Sequence, residues 1–283
     1  MGQIIYGSEV AKERRAALKE KIDMQRSEGR RAPCLAVILA GDNPASLSYV
    51  KGKEKACAEV GIEVKMMHLP ETVSQQELEN NIRQCSEDDK IDGILLQLPL
   101  PQGLQENRAI QLISPDKDVD GLTEISVGRL YLNEPGFVPC TPLGIMALLQ
   151  KMGCSLSGKN AVVIGRSKLV GAPVARLLQN ENATVTICHS KTHNLEQVCR
   201  QADVLVAAIG RPLFVTDAFV KEGAYVIDVG INRKADGHLC GDVDFDKVMP
   251  HVSAITPVPK GVGPMTICML LENTYQAYES RRQ

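Results

Sequence analysis

Residues 161–178 read Ala-Val-Val-Ile-Gly-Arg-Ser-Lys-Leu-Val-Gly-Ala-Pro-Val-Ala-Arg-Leu-Leu. The opening apolar run suits a buried strand. Gly165 and Gly171 bracket a turn, and the remainder suits a helix. A strand, a glycine turn and a helix in that order direct backbone N–H groups and a helix N-terminus at an anionic ligand. The stretch therefore suggests a nucleotide phosphate site. It is not Gly-x-Gly-x-x-Gly, because Arg166 and Ser167 stand between widely spaced glycines. Taken alone, it fits plain α/β architecture equally well, so its surroundings must decide.

Those surroundings alternate. Helix patterns cover residues 8–29, 46–60 and 74–85, the last opened by a Ser74/Glu77 capping box. Short apolar strands fall at 35–40, 62–67 and 91–96. The Pro-Leu-Pro-Gln-Gly run at 99–103 can be neither helix nor strand interior. After a proline- and glycine-rich passage at 115–142 and a helix at 143–151, strands recur at 161–164, 184–188, 204–207, 225–229 and 254–255. A helix at 265–280 closes the chain. The expected fold is α/β with two domains. Residues 1–140, joined by the C-terminal helix 265–283, form one α/β domain. Residues 141–264 form a Rossmann-like, doubly wound parallel sheet.

Composition narrows the partners. Lys+Arg 32 against Asp+Glu 34 gives a net charge of −2, so neither nucleic acid nor an anionic membrane surface is expected. The longest uncharged run, 135–150, is short of the roughly 20 residues that span a bilayer. No signal peptide is evident at the N-terminus. Nine scattered cysteines, with no Cys-x-x-Cys, read as reduced, buried thiols of a cytoplasmic protein. His189 and His193 lack companion ligands, so no metal site is expected. The acidic turn at 116–121 lacks the spacing and distal Glu of a calcium loop.

At the end of the second strand of the 141–264 block, a dinucleotide fold contacts the adenosine ribose. There the chain reads Cys188-His-Ser-Lys-Thr192, with no carboxylate. Ser190 and Lys191 can bond a 2′-phosphate that a carboxylate would repel, and Arg166 adds a bidentate partner, so the pattern favours NADP. Glycines just past the strands in 207–212 and 228–232 add to a ligand reading. In the first domain, Tyr49 and Lys53 share a helix face. Alternation of Lys51, Lys53 and Lys55 fits a plain solvated face as well. Gln97 ends a strand where an open α/β sheet presents side chains to a crevice.

Six segments occur in one order: Ser48-Tyr-Val-Lys-Gly-Lys53, Asp92-Gly-Ile-Leu-Leu-Gln-Leu-Pro-Leu-Pro101, Pro115-Asp-Lys-Asp-Val-Asp-Gly121, Pro139-Cys-Thr-Pro142, Gly165-Arg-Ser-Lys-Leu-Val-Gly-Ala-Pro173 and Gly261-Val-Gly-Pro-Met-Thr266. With them the chain resembles the bifunctional methylenetetrahydrofolate dehydrogenase / methenyltetrahydrofolate cyclohydrolase family over essentially its whole length. The resemblance implies a cleft between the domains, NADP as cofactor, tetrahydrofolate derivatives as substrates and a homodimer. It implies catalytic roles for Lys53, Tyr49, Gln97 and Asp120. Tyr49, Lys53, Leu96, Gln97, Leu98, Asp120, Pro259, Gly261, Val262 and Gly263 would meet the folate. Gly165, Arg166, Ser167, Ser190 and Ile231 would meet the cofactor. The chain departs from the family at 260, where Lys260 replaces a usual glycine. Assistance to the anionic folate tail, hindrance of the loop and neutrality all stay open there. So do a dehydrogenase without the second activity and a non-catalytic NADP-binding regulator.

Overall fold

The protein is described from a computed structural model covering residues 2–234 and 236–281. Residues 1, 235, 282 and 283, which fall within the expected domain spans, lie outside the described residues. Along the chain come β1 (Gln3–Ile4), α1 (Gly7–Ser27), β2 (Cys34–Ala40), α2 (Pro44–Val60), β3 (Glu63–Leu69), α3 (Gln75–Glu87), β4 (Gly93–Leu96), α4 (Glu106–Ile110), α5 (Glu124–Leu132) and α6 (Cys140–Lys151). There follow β5 (Asn160–Ile164), α7 (Gly171–Asn180), β6 (Thr184–Cys188), α8 (Leu195–Cys199), β7 (Val204–Ala207), β8 (Ala224–Asp228), β9 (Asn232–Arg233), β10 (Leu239–Cys240), α9 (Phe245–Val248), β11 (Val252–Ile255) and α10 (Val262–Ser280).

The chain forms two compact units. One comprises Glu13–Cys140 with the residues from Ile267 on; the other comprises the residues up to Lys12 with Thr141–Thr266. The first is built on a three-stranded parallel sheet in the order β3-β2-β4. On one face Ile38, Ile94 and Leu96 pack with Leu78 and Ile82 of α3, all of them buried. Local signals set the helix ends. Glu77 N donates to Ser74 Oγ at 3.2 Å and Ser74 N to Glu77 Oε2 at 3.4 Å, the reciprocal capping box. α2 starts two residues before the expected 46, because Asn43 Oδ1 accepts from Ala45 N and Ser46 N and Pro44 suits the first turn.

The second unit holds a six-stranded sheet in the order β1-β11-β8-β7-β5-β6, with every pairing parallel. β5 has β6 on one side and β7 on the other, so the chain reverses its direction of travel across the sheet between β5 and β7. In open α/β sheets such a point holds the ligand crevice, at the carboxyl ends of the strands. β1 differs from the sequence reading, which assigns residues 1–12 to the N-terminal domain. Gln3 pairs with Ala254 and Ile4 with Ile255, and Ile5 N donates to Ile255 O at 2.9 Å. Two residues are too short to show a strand pattern, but the unpaired edge of β11 recruits them. Among the described residues no helix is long and apolar enough to cross a membrane.

Candidate functional site

Lys53 and Gln97 meet in the first unit. α2 turns Lys51 and Lys55 to solvent and draws Lys53 inwards, where its Nζ donates to Gln97 Oε1 at 2.9 Å. Gln97, only 8% exposed, donates its amide nitrogen to Leu98 O at 2.6 Å. A carbonyl can only accept, so this second bond orients the amide and leaves its oxygen for the lysine. Burial pushes the Lys53 ammonium below its ordinary value, and the Asp120 carboxylate opposes that shift. Reciprocally, burial raises the Asp120 carboxyl while Lys53 draws it down. The pair is a half-buried amine facing a half-buried carboxyl. Tyr49, one turn before Lys53, is 55% exposed and offers a ring to a ligand. Leu96 is packed in the core cluster that β2 and β4 form with α3, and Leu98 lies against that cluster.

The acidic turn divides its labour. Asp116 is exposed. Asp118 is buried and accepts from Leu122 N at 3.1 Å, Thr123 N at 2.8 Å and Ser126 Oγ at 2.6 Å, which fastens the start of α5. Lys117, also buried, donates to Cys85 O and Asp88 O at the end of α3. Asp120 is left for the lysine. Gly121 has φ +66, and a Cβ there would lie 2.6 Å from the Val138 carbonyl carbon, so the chain on either side of Asp120 and Cys140 runs in close contact. Cys140 and Asn273 join this cluster. The sequence marked neither as a site residue, since one is a lone thiol and the other a lone polar residue in an apolar helix.

In the second unit the glycine turn lies where its sequence predicts. Gly165, just past β5, has φ +121, and a Cβ there would sit 2.2 Å from Ala208 O, just past β7. A Cβ on Gly171 would sit 2.3 Å from Gly165 O. Only glycine fits at either place, and the cradle opens at the reversal between β5 and β7. The amides of Val170 and Gly171 face Ser167 Oγ, at 3.2 and 3.3 Å, so Ser167 caps α7 itself. Arg166 and Ser190 are exposed at the carboxyl ends of β5 and β6. No carboxylate stands among residues 188–192, so the cradle and its rim fit a dinucleotide bearing a 2′-phosphate.

The two other glycine-bearing turns, past β7 and β8, are tied to carboxylates of the chain. The amides of Ile209, Gly210 and Arg211 point at the buried Asp242, at 2.7, 3.0 and 2.8 Å. Gly230 is required because a Cβ there would lie 2.3 Å from Asp242 Oδ1. These amides fasten the loop past β7 to Asp242, and the loop past β8 lies close against the same carboxylate. Asp228 works alongside, accepting from Gly230 N, Asp242 N and Val243 N, and burial raises its carboxyl to about 7 against the pull of those bonds.

Ile231 is 55% exposed and lines a pocket of about 230 Å³ with Leu239 and residues 258–264. Val262 and Gly263 form the first turn of α10, which starts three residues before the expected 265, so only Pro259 to Gly261 remain loop. Lys260 has φ +78 there, and its carbonyl accepts from Ser8 N at 3.1 Å. Among the described residues no group of three or more His, Cys, Asp or Glu is placed to hold a metal ion.

Comparison with known proteins places both units. The family model described as tetrahydrofolate dehydrogenase/cyclohydrolase, catalytic domain, matches residues 5–120, and its NAD(P)-binding domain counterpart matches 139–282. The bifunctional protein FolD of Bacillus mycoides (strain KBAB4) is 55% identical over 274 residues, 97% of this chain and 96% of that protein. The crystal structure of the bifunctional enzyme FolD from Campylobacter jejuni superposes with a TM-score of 0.97 at 48% identity, covering 99% of this chain and 100% of that one. The Trypanosoma brucei methylenetetrahydrofolate dehydrogenase-cyclohydrolase, solved with NADP cofactor and an inhibitor, gives 0.94 at 38% identity, covering 100% and 99%. On these matches and the geometry of both units, the chain belongs to the tetrahydrofolate dehydrogenase/cyclohydrolase family.

Proposed function

We propose that this protein oxidises 5,10-methylenetetrahydrofolate to 5,10-methenyltetrahydrofolate with NADP and then hydrolyses that cation to 10-formyltetrahydrofolate. One observation carries the reading: a lysine drawn inwards by its helix, oriented by Gln97 and faced by Asp120. NADP supplies the hydride acceptor when bound. Gly165 and Gly171 admit its pyrophosphate, Arg166 and Ser190 meet its phosphates, and Ile231 covers the nicotinamide side. The nitrogens of the folate stabilise the cation left behind, so the chain contributes mainly alignment to this step. Asp120 holds the pterin, since two N–H donors on its amino-pyrimidine edge match one carboxylate. Tyr49 packs on the folate, and Pro259, Gly261, Val262 and Gly263 border it.

Hydrolysis needs a group that moves protons near neutral pH. Neutral Lys53 takes a proton from water as its oxygen adds to the methenyl carbon. The C–N bond to one folate nitrogen then breaks and that nitrogen is protonated as the carbonyl forms. One proton leaves to solvent overall. The lowering of Lys53 by burial makes the neutral amine accessible, and Gln97 keeps it aimed. The working form is a homodimer in the cytoplasm, where its free cysteines stay reduced.

The test is a continuous assay of the purified protein with methylenetetrahydrofolate and either NADP or NAD. Methenyl absorbance should rise with NADP and then decay faster than the uncatalysed rate. Accumulation without accelerated decay would leave a dehydrogenase alone. NADP binding without turnover would leave a regulator. Sedimentation equilibrium tests the dimer.

A further inference from the structure

Among the described residues, four hydrogen bonds converge on the carboxylate of Asp242, which is fully buried just past β10. Its Oδ2 accepts from Ile209 N at 2.7 Å and Gly210 N at 3.0 Å, and its Oδ1 from Arg211 N at 2.8 Å and Asn232 Nδ2 at 2.9 Å. The backbone donors come from the turn past β7, and the side-chain donor comes from β9, just past β8. A carboxylate has about four acceptor sites on its two oxygens, so Asp242 is saturated by the chain itself. Its own N–H donates to Asp228 Oδ1 at 2.9 Å, the atom that also accepts from Gly230 N at 3.0 Å. Ile231 thus lies between two anchored neighbours, Gly230 on Asp228 and Asn232 on Asp242. The packing leaves no slack: a Cβ on Gly230 would lie 2.3 Å from Asp242 Oδ1, and one on Gly241 would lie 1.7 Å from Asp228 Oδ2.

What this clamp holds is not itself buried. β9 and β10 form an antiparallel hairpin with Asn232 opposite Cys240. Beside that pair, Ile231 and Leu239 are 55% and 38% exposed, and both line the pocket of about 230 Å³ that Pro259 and Lys260 border. Apolar side chains on a tethered hairpin root keep a fixed surface open to a flat apolar partner. We propose that Asp242 is a positioning residue for hydride transfer: by tying the turn past β7 to the root of the β9–β10 hairpin, it holds Ile231 and Leu239 as a seat for one face of the nicotinamide ring. The proposal rests on the NADP reading of this unit. Asp242, buried and saturated, touches neither the ring nor the folate. Its replacement therefore acts on the ring through the seat and spares the cradle at Gly165 and Gly171 that takes the phosphates. Asparagine has the same shape, but its NH2 group would face two of the donors and leave them without an acceptor.

Calorimetry compares NADP with 2′-phospho-ADP-ribose, which is NADP without the nicotinamide, on the wild-type protein, Asp242→Asn and Asn232→Ala. The wild-type protein should bind NADP the more tightly. Asp242→Asn should weaken NADP by about tenfold, through loss of a preorganised seat, and leave 2′-phospho-ADP-ribose unchanged. Steady-state rates run alongside. Hydride transfer to saturating NADP should fall about 100-fold for a misplaced ring, whereas hydrolysis of supplied methenyltetrahydrofolate, which needs no ring, should keep most of its rate. Asn232→Ala removes a single bond to Asp242 and should show the same pattern at smaller size; it decides the matter should Asp242→Asn fail to fold. An unchanged preference for NADP in each folded variant, equal weakening of both ligands, or parallel loss of both steps with a lower Tm would overturn the proposal and leave Asp242 as a support of the sheet. So would equal affinity of the wild-type protein for the two ligands. If the wild-type protein turned over no folate, the functional reading would fail, and the calorimetric comparison would still decide whether Asp242 sets the seat.

Discussion

Lys53 Nζ donates to Gln97 Oε1 across 2.9 Å, and Gln97 is itself fixed by its bond to Leu98 O. The lysine is thus held by a neutral acceptor that cannot take its proton, while Asp120 supplies the nearby negative charge. That arrangement orients an amine without locking it in the charged form.

Lys53→Met should remove the hydrolysis of methenyltetrahydrofolate, by about 100-fold or more for loss of an acid–base group, and leave measurable hydride transfer. Equal retention of both steps would sink the role given to Lys53. Stability should move the other way. The folded-state pKa of Lys53 lies below that of the unfolded chain, so folding disfavours its protonated form. This penalty is absent above the unfolded pKa of about 10.4 and grows as pH falls through the depressed folded value. Lys53→Met should therefore gain Tm relative to wild type at pH 7, and the gain should shrink towards pH 10.5, as thermal melts across that range would show.

Asp120→Asn should weaken folate binding and also move the base limb. The carboxylate raises the Lys53 pKa, so its loss should shift the pH at which hydrolysis switches on to lower values. A stopped-flow pH profile of methenyl decay at saturating substrate checks this. A shift to higher pH would contradict the pairing of Lys53 with Asp120.

The limits of the sequence show in the same residues. Alternating strand and helix signals and the Gly165 turn were legible because each is a local pattern of a dozen residues or so. Spacing alone could not tell Lys53 from Lys51 and Lys55; the resemblance singled it out, and it is the one of the three that α2 draws inwards to Gln97. Asp228 with Asp242, and Asn273 with Val119, were not legible. These bonds join residues 14 and 154 positions apart, and each leaves only a single polar letter in the sequence. Nor was it legible that the amides of residues 209–211, in one of the glycine-bearing strand ends, face Asp242.

Arg166 is exposed beside the glycine cradle, free to form a fork with a phosphate. Arg166→Ala should raise the KM for NADP far more than that for NAD, by about tenfold or more for loss of one charge-assisted bidentate contact. Steady-state kinetics with both cofactors decide it, and an unchanged ratio would remove Arg166 from the 2′-phosphate. Gly165→Ala should abolish binding of both, because its new Cβ must displace Ala208 O from 2.2 Å while holding φ at +121. That should also cost about 2 kcal/mol or more of stability.

Lys260 holds φ +78 on the rim of the pocket beside Ile231, with its carbonyl bonded to Ser8 N. The conformation is imposed, since a Cβ on neighbouring Gly7 would meet Gly261 O at 1.9 Å and the loop has no room to relax. A left-handed lysine costs about 1–2 kcal/mol, and replacing it by glycine returns about 0.4–1 kcal/mol to the unfolded chain. Lys260→Gly should therefore hold or slightly raise the Tm, while Lys260→Val, β-branched at the same φ, should lower it. The ammonium has no ion-pair partner among the described residues, so it is available to an anionic substrate. The KM for methylenetetrahydrofolate should rise a few-fold in Lys260→Gly at low ionic strength and converge on the wild-type value at high salt, as expected for a screened contact. A KM unchanged at every salt concentration would make Lys260 neutral for binding, and a lower KM would mean that the lysine hinders the loop.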